Sequence, residues 1–99
     1  MDDNLDKFEL MRRIENNPGS SQRKMAKELG FSLGKLNYCL RELKQKGFVK
    51  IRNFRKNPKK LNYIHVLTPK GIAMKTKLTI NFMKRKMAEY DQLKKELNQ

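Results

Sequence analysis

The chain has 99 residues, and its 24 Lys and Arg against 10 Asp and Glu give a net charge of +14. This length fits one domain with one appended element and is too short for most multistep enzyme folds. No apolar run is long enough to span a bilayer. The acidic, polar N-terminus does not resemble a signal peptide, and the one cysteine can form no internal disulfide, so we expect a cytoplasmic protein.

The charge is divided unevenly along the chain. Residues 1–19 have a net charge of −2, whereas residues 23–60 contain thirteen Lys and Arg and two acidic residues, a net of +11. The basic part also contains regularly spaced apolar residues, so disorder explains it poorly. An anionic partner is therefore expected, with nucleic acid favoured over an acidic membrane face.

Three helices are predicted before residue 47. Ser20 and Ser21 offer N-caps for a second helix over 22–29, and Ser32 offers one for a third over 33–46. Apolar residues recur every third position in the first helix, at Leu5, Phe8, Met11 and Ile14. The second and third helices have the spacing of a helix-turn-helix unit, formed by Met25, Ala26, Leu29, Gly30, Phe31, Leu36 and Cys39.

A β-hairpin is predicted next, with strands over 48–54 and 61–67 and a basic turn over 55–60. Pairing Phe54 with Leu61 puts the apolar pairs on one side of the ribbon and the polar pairs on the other. These pairs are Val49 with Val66 and Ile51 with Ile64, then Lys50 with His65 and Arg52 with Tyr63. The predicted fold is mainly α with a small β-ribbon (α+β), a winged helix-turn-helix.

A last helix is predicted from Pro69 to Leu97, about 40 Å at 1.5 Å per residue. A 3-4 repeat gives it an imperfect coiled-coil seam, at Ala73, Thr76, Ile80, Met83, Met87, Tyr90, Lys94 and Leu97. Leu78, Phe82 and Leu93 lie off the seam, so the helix needs both its own domain and another chain. We expect a DNA-binding domain over residues 1–68 and a dimerisation helix over 69–99. The homodimer contact would use Ile80, Met83, Met87, Tyr90 and Leu97.

The outward face of the third helix carries residue types that read DNA in a major groove. Lys35 and Arg41 can reach phosphates or guanine edges, and Asn37 suits an adenine edge. The start of the second helix suits a phosphate, and the basic hairpin turn suits the backbone or minor groove. The predicted DNA contacts are Ser21, Gln22, Arg23, Ser32, Lys35, Asn37, Tyr38, Arg41, Lys44, Arg55, Lys56, Lys59 and Lys60.

Two segments beside the hairpin resemble the multiple-antibiotic-resistance-regulator (MarR) type of winged helix. They are Gly47-Phe48-Val49 and Leu67-Thr68-Pro69-Lys70-Gly71. Residues 32–40, together with the segment over 67–71 and the final basic helix, are more narrowly similar to MarR-like regulators associated with exopolysaccharide gene clusters. The resemblance spans nearly the whole chain. It implies a bacterial, dimeric transcription regulator near polysaccharide biosynthesis genes, with the effector unknown.

A sequence-specific, double-stranded DNA-binding regulator is the favoured function, and an RNA-binding module or a protein adaptor is the alternative. No aromatic pair on a sheet face offers a stacking platform for RNA, but a winged helix can also serve as a scaffold. No nucleophile motif or carboxylate–histidine pair supports an enzyme, and no cofactor or metal is expected. Cys39 is expected to be a core residue, and His65 to lie on the strand surface.

Overall fold

The computed structural model describes the backbone of residues 3–57 and 60–99 and the side chains of residues 4–53 and 63–99. The order of its elements is α1 (Asp3–Asn16), α2 (Gln22–Leu29), α3 (Leu33–Gln45), β1 (Val49–Asn57), β2 (Lys60–Leu67) and α4 (Pro69–Leu97). The two strands form one antiparallel sheet. Three helices followed by a two-stranded ribbon make a winged helix, and this confirms the predicted fold class.

The core lies where the first three helices meet the base of the ribbon. Its buried members are Leu10, Met11, Ile14, Met25, Ala26, Leu36, Cys39, Leu40, Leu43, Phe48 and Val49. Leu29, Phe31 and Leu67 pack against this cluster from its edge. The joint predicted for the helix-turn-helix unit is therefore confirmed, and Cys39, at 1% exposure, is a core residue as expected.

The predicted apolar stripe of α1 is wrong at its first residue. Leu5 is 40% exposed, whereas Leu10 is completely buried and Lys7 is buried to 7% exposure. A helix turns by about 100° per residue, so a spacing of three moves each successive residue about 60° backwards around the axis. Three such steps separate Leu5 from Ile14, so Leu5 lies on the opposite side of the helix from Ile14. Lys7 and Leu10 lie on the side that faces the core.

The predicted strand register is wrong by one residue. Val49 pairs with Leu67 and Ile51 pairs with His65, instead of Val66 and Ile64. The register is determined at the base of the ribbon, where the Thr68 amide donates to the carbonyl of Phe48. Because side chains alternate between faces, this slip exchanges the two faces of β2.

His65 therefore occupies a different place from the one expected. It lies on the same face of the ribbon as Leu67 and the buried Val49, and it is half-buried, not on the strand surface. The pairs on the opposite face are Lys50 with Val66 and Arg52 with Ile64.

The hairpin strands are longer than predicted. Their pairing continues through Arg55 with Leu61 to Asn57 with Lys60, with an irregularity between Arg55 and Asn57. Ladder hydrogen bonds need only backbone groups, so basic side chains do not end the pairing where the sequence placed a six-residue turn. Residues 58 and 59, and the side chains of residues 54–62, lie outside the described part of the chain.

The ribbon and α4 meet in a tightly packed junction. Thr68 caps α4 by accepting a hydrogen bond from the Gly71 amide, and its hydroxyl donates to the Gly47 carbonyl. Gly47 has a φ of 77°, in the left-handed region that favours glycine. A Cβ on Gly71 would lie 2.0 Å from the Phe48 carbonyl oxygen, so only glycine fits there. These contacts give the Leu67–Gly71 segment a structural role.

The two sides of α4 have different environments. Met74 and Leu78 pack against the core, and the ring of Phe82 lies 5.0 Å from that of Phe8 in α1. The seam residues Ile80, Met83, Met87, Tyr90 and Leu97 are all exposed. Most of the far half of α4 extends beyond the domain, which gives the molecule its longest dimension of 67 Å. Within the described ranges, no helix is long and apolar enough to cross a membrane.

Candidate nucleic-acid interface

Two serines set the start of the helices that form the helix-turn-helix unit. The Ser21 hydroxyl accepts a hydrogen bond from the Lys24 amide at 3.1 Å, and the Ser32 hydroxyl accepts one from the Lys35 amide at 3.1 Å. Both serines are exposed at N-termini, where backbone N–H groups and the helix dipole favour an anion. Each hydroxyl still has its own proton to donate, so the cap does not exclude a phosphate contact.

The turn between α2 and α3 depends on Gly30. Its φ of 71° lies in the left-handed region, and its amide donates to the Lys27 carbonyl. The next amide, that of Phe31, donates to the Ala26 carbonyl at 2.8 Å. This geometry ends α2 and starts α3 within three residues, which fixes the angle at which α3 presents its outer face.

The four inward residues of α3 are Leu36, Cys39, Leu40 and Leu43, all buried. The opposite face exposes Ser32, Leu33, Gly34, Asn37, Tyr38, Arg41 and Lys44. Within the described part of the chain, Arg41 and Lys44 make no ion pair, so both positive charges face solvent. A Cβ on Gly34 would meet nothing within 4 Å. The surface at the start of α3 is therefore open to a partner's close approach.

Lys35 differs from the other predicted contacts. Its ammonium lies 2.9 Å from Oδ2 of Asp6 in α1 and 4.4 Å from the centre of the Phe31 ring. The side chain is only 29% exposed. The structure therefore places Lys35 at the edge of the face formed by Asn37 and Arg41, held back towards α1.

Tyr38 is another residue that α1 approaches. The ammonium of Lys7 lies 5.9 Å from the centre of the Tyr38 ring, which is within the range of a cation–π contact. Tyr38 is still 46% exposed, so its ring remains accessible beside Asn37 on the outer face.

The remaining predicted contacts lie on either side of α3. Gln22 and Arg23 are exposed in the first turn of α2, as the prediction requires. Lys50 and Arg52, which the sequence did not assign to DNA, are exposed on one face of β1 and lead towards the hairpin tip. Their spacing of two in a strand was the available signal. The predicted contacts Arg55, Lys56, Lys59 and Lys60 lie outside the residues whose side chains are described.

Among the described residues of the first helix, acidic side chains form ion pairs within the molecule. Glu15 is paired with Lys75 of α4 at 3.4 Å, and Asp6 is paired with Lys35. Arg13 of α1 is paired with Glu28, the one acidic residue of α2, at 2.6 Å. The negative charge near the helix-turn-helix unit is thus partly neutralised, while Arg41 and Lys44 have no ion-pair partner among the described residues.

His65 lies behind this face, on the inner side of the ribbon. Burial lowers the pKa of its imidazole, and the nearby Lys44 ammonium lowers that pKa further. Its Nε2 atom is buried and has no hydrogen-bond partner in the described part of the chain. In the same part of the chain, no cluster of three or more His, Cys, Asp or Glu residues could hold a metal ion.

Comparisons with known proteins agree with this geometry. Residues 7–50, from α1 to the first residues of β1, match a family model described as winged helix-turn-helix DNA-binding. This segment contains both caps, the Gly30 turn and the whole of α3. No curated protein matches the chain.

Solved structures extend the likeness to most of the chain. A MarR family transcription regulator superposes with a TM-score of 0.70 at 18% identity, covering 89% of this chain and 56% of that one. Streptococcus pneumoniae FabT, in complex with DNA, gives 0.63 at 21%, covering 86% and 57%. S. aureus MepR, also a DNA complex, gives 0.69 at 20%, covering 90% and 64%.

These likenesses establish the fold. The chain has the winged-helix fold of MarR structures, and its residues 7–50 match the winged helix-turn-helix DNA-binding model. It spans a little over half of the length of the first of these structures.

Proposed function

We propose that this protein is a sequence-specific, double-stranded DNA-binding transcription regulator that acts as a homodimer. Residues 1–68 form the DNA-binding domain, residues 69–99 form the dimerisation helix, and no catalysis is involved. The observation that carries the proposal is the outer face of α3, where Asn37, Arg41 and Lys44 are exposed and the two cations have no ion-pair partner in the described part of the chain.

In this function α3 enters the major groove, where Arg41 suits a guanine edge and Asn37 an adenine edge. The starts of α2 and α3 receive phosphates on their free N–H groups. Lys50 and Arg52 extend the positive surface along the ribbon, so that the basic tip follows the backbone or the minor groove. Two of the similar structures, those of FabT and MepR, are DNA complexes, which supports duplex DNA as the partner.

Exopolysaccharide biosynthesis genes are the proposed targets. This part of the proposal rests on the resemblance of residues 32–40 and of the final basic helix to regulators associated with such gene clusters. Sequencing of DNA that co-precipitates with the tagged protein from its host would identify the genes. Sites confined to other operons would overturn this target assignment without affecting the DNA-binding proposal.

The decisive test is selection of binding sites by the purified full chain from a random duplex pool. We expect the wild-type protein to select a two-fold symmetric motif. The Arg41→Ala protein should lose the base preference at one position of each half-site. Loss of a base contact costs about 1–3 kcal/mol of discrimination. Lys95→Ala, which removes the same charge from the exposed far end of α4, is the matched control and should keep the motif.

An RNA-binding module and a protein adaptor give different results in the same assay. Single-stranded or duplex RNA that displaces the selected DNA at equal concentration would favour the RNA-binding module. Binding of neither nucleic acid at physiological salt would favour the adaptor. An Arg41→Ala protein with unchanged affinity and unchanged motif would show that α3 does not read the bases.

A further inference from the structure

The far half of α4 has an apolar surface that its own domain leaves uncovered. Met83, Met87, Tyr90, Leu93 and Leu97 are between 58% and 84% exposed. Beyond Phe82, the helix extends for about 20 Å at 1.5 Å per residue. A contiguous surface of this kind marks an interaction site.

We infer that a second copy of this chain covers this surface, with its α4 antiparallel to the first. The inference rests on the homodimer of the proposed function and adds its geometry. A 3-4 repeat has two alternating seam positions. In an antiparallel pair of helices, a residue at the first position of one helix lies against a residue at the second position of the other helix. Of the registers that this rule allows, we infer the one that keeps the contact within the exposed seam residues between 80 and 97. It pairs Ile80 with Leu97, Met87 with Tyr90, and Met83 with Lys94.

The seam itself disfavours the parallel alternative. Two parallel helices in register set every seam residue against its own copy, so Lys94 meets Lys94 of the second chain. Like charges in contact destabilise a helix pair. In the antiparallel pair Lys94 instead lies against Met83, where its aliphatic stem packs and its ammonium reaches solvent.

The distribution of charge along α4 favours the same orientation. Residues 69–86 contain six Lys and Arg and no acidic residue. Residues 87–97 contain Glu89, Asp91 and Glu96 against two lysines, a net of −1. An antiparallel pair brings the basic part of one helix beside the acidic part of the other, whereas a parallel pair places the two basic parts side by side.

One ion pair distinguishes the two orientations. Lys84 and Asp91 flank the seam, and in the antiparallel register they lie beside each other across the dimer. The two-fold axis repeats this contact, so the dimer contains two such pairs. Both side chains are exposed, and neither forms an ion pair within the described residues. In a parallel pair, Asp91 of one chain would instead lie beside Lys86 of the second chain, and Lys84 would lie beside Thr79.

A groove between α1 and α4 supports the antiparallel register independently. It has a volume of about 480 Å³, and its apolar lining consists of Phe8, Phe82, Met83 and Met87. Arg12, Lys75, Thr79 and Lys86 also line it. The antiparallel register brings Leu93 of the second copy beside Lys86. Leu93, which lies off the seam and is 64% exposed, then enters the groove.

The antiparallel dimer also suits a duplex. Each α4 meets its own domain near residue 76, and the register places the two-fold axis between residues 88 and 89. At 1.5 Å per residue, the two points lie about 40 Å apart. Successive major-groove half-sites lie roughly 34–36 Å apart, so each domain can reach one half-site.

Cysteine cross-linking of the full chain tests the orientation. Ile80→Cys and Leu97→Cys, both at exposed positions, are purified separately, one with a size tag, then mixed and mildly oxidised. We expect the mixed 80–97 disulfide to exceed both homodisulfides, and wild type to stay uncrosslinked because Cys39 is buried. Homodisulfides that equal or exceed the mixed product would overturn the antiparallel arrangement while leaving a homodimer.

Charge exchange provides a second test that does not depend on oxidation. Lys84→Glu should raise the dimer dissociation constant about three- to tenfold, because two exposed pairs are lost. Adding Asp91→Lys to this variant should restore dimerisation, since both pairs re-form with reversed charges. No rescue would overturn the inference. A monomer in sedimentation at tens of micromolar would overturn both the pairing and the homodimer, while Arg41→Ala would still test DNA binding separately.

Discussion

The ammonium of Lys35 lies 2.9 Å from Oδ2 of Asp6, so a carboxylate on α1 holds a lysine of α3 beside the proposed DNA-binding face. The sequence placed Lys35 among residues that reach DNA. The structure shows that its charge is already partly neutralised within the molecule. The ion pair thus couples the acidic first helix to the surface that would meet a phosphate.

Asp6→Asn should therefore strengthen DNA binding. The substitution removes the carboxylate charge beside Lys35, which would also repel the phosphates. We expect a two- to fivefold lower dissociation constant, about the effect of one exposed charge contact. Fluorescence anisotropy with a labelled duplex at constant salt would measure it. Glu15→Gln is the matched control, because it breaks an ion pair with Lys75 of α4 and should leave affinity unchanged. An equal gain in both variants would show that net charge, and not Lys35, matters.

Gly71→Ala should destabilise the fold. The new Cβ would lie 2.0 Å from the Phe48 carbonyl oxygen, and both partners are backbone. Crowding of this kind costs about 1–3 kcal/mol, and a backbone clash lies at the upper end of that range. Urea unfolding followed by circular dichroism would measure the loss. A variant as stable as wild type would show that α4 can shift away from the ribbon without cost.

Gly34→Ala should separate DNA binding from stability. A Cβ at position 34 meets nothing in the chain, and alanine favours a helix by up to about 1 kcal/mol over glycine. We expect stability to be equal to or above that of wild type and DNA affinity to fall, since the methyl group would stand between α3 and the duplex. Unfolding and anisotropy on the same preparation test both expectations. Unchanged DNA affinity would place Gly34 outside the contact surface.

Thr68→Val should weaken the junction between the ribbon and α4. It removes the cap on the Gly71 amide and the hydrogen bond to the Gly47 carbonyl at nearly constant volume. Loss of an N-cap costs about 0.5–2 kcal/mol, and the second hydrogen bond adds to it. Thr76→Val is the control, because Thr76 donates only to the Ile72 carbonyl within α4. Equal losses in denaturant unfolding of the two variants would contradict the proposed role of Thr68.

His65 should make stability depend on pH below neutrality. Burial and Lys44 lower the pKa of its imidazole, so the unfolded chain takes up a proton at a higher pH than the native chain does. Its contribution is therefore complete above the ordinary value of 6.5 and decreases as the pH falls towards the lowered native pKa.

Comparing wild type with His65→Gln at about pH 7.5 and about pH 5.5 isolates this effect. Wild type should lose more unfolding free energy than the variant on acidification. A parallel loss in both proteins would mean that other groups, such as the paired carboxylates of α1, cause the pH dependence.

Much of the architecture could be predicted because it depends on local signals. Ser21 and Ser32 start helices, and Gly30 supports the left-handed turn between them. These signals located α2 as the structure has it, and α3 to within one residue. The burial of Lys7 could not be read from an apolar pattern, because it depends on the angular position of that residue around α1.

The strand register of the ribbon could not be predicted from local signals. Alternation favoured the predicted register, which sets apolar residues opposite each other, whereas the observed register sets Lys50 opposite Val66 and Arg52 opposite Ile64. The choice came from the junction at Gly47, Phe48 and Thr68, whose contacts join residues about twenty positions apart. The same choice moved His65 from the expected outer surface to the inner face.

By itself the sequence determined the helix-turn-helix unit, the length of α4 and the excess of positive charge, because caps, periodicity and composition act over a few residues. The packed helices were needed to show that Asp6 holds Lys35 while Arg41 has no ion-pair partner among the described residues, and that Leu78 and Phe82 pack inward while Met83 and Met87 do not. Ion pairing and burial depend on which helices lie side by side. That arrangement is determined by the packing of the whole core.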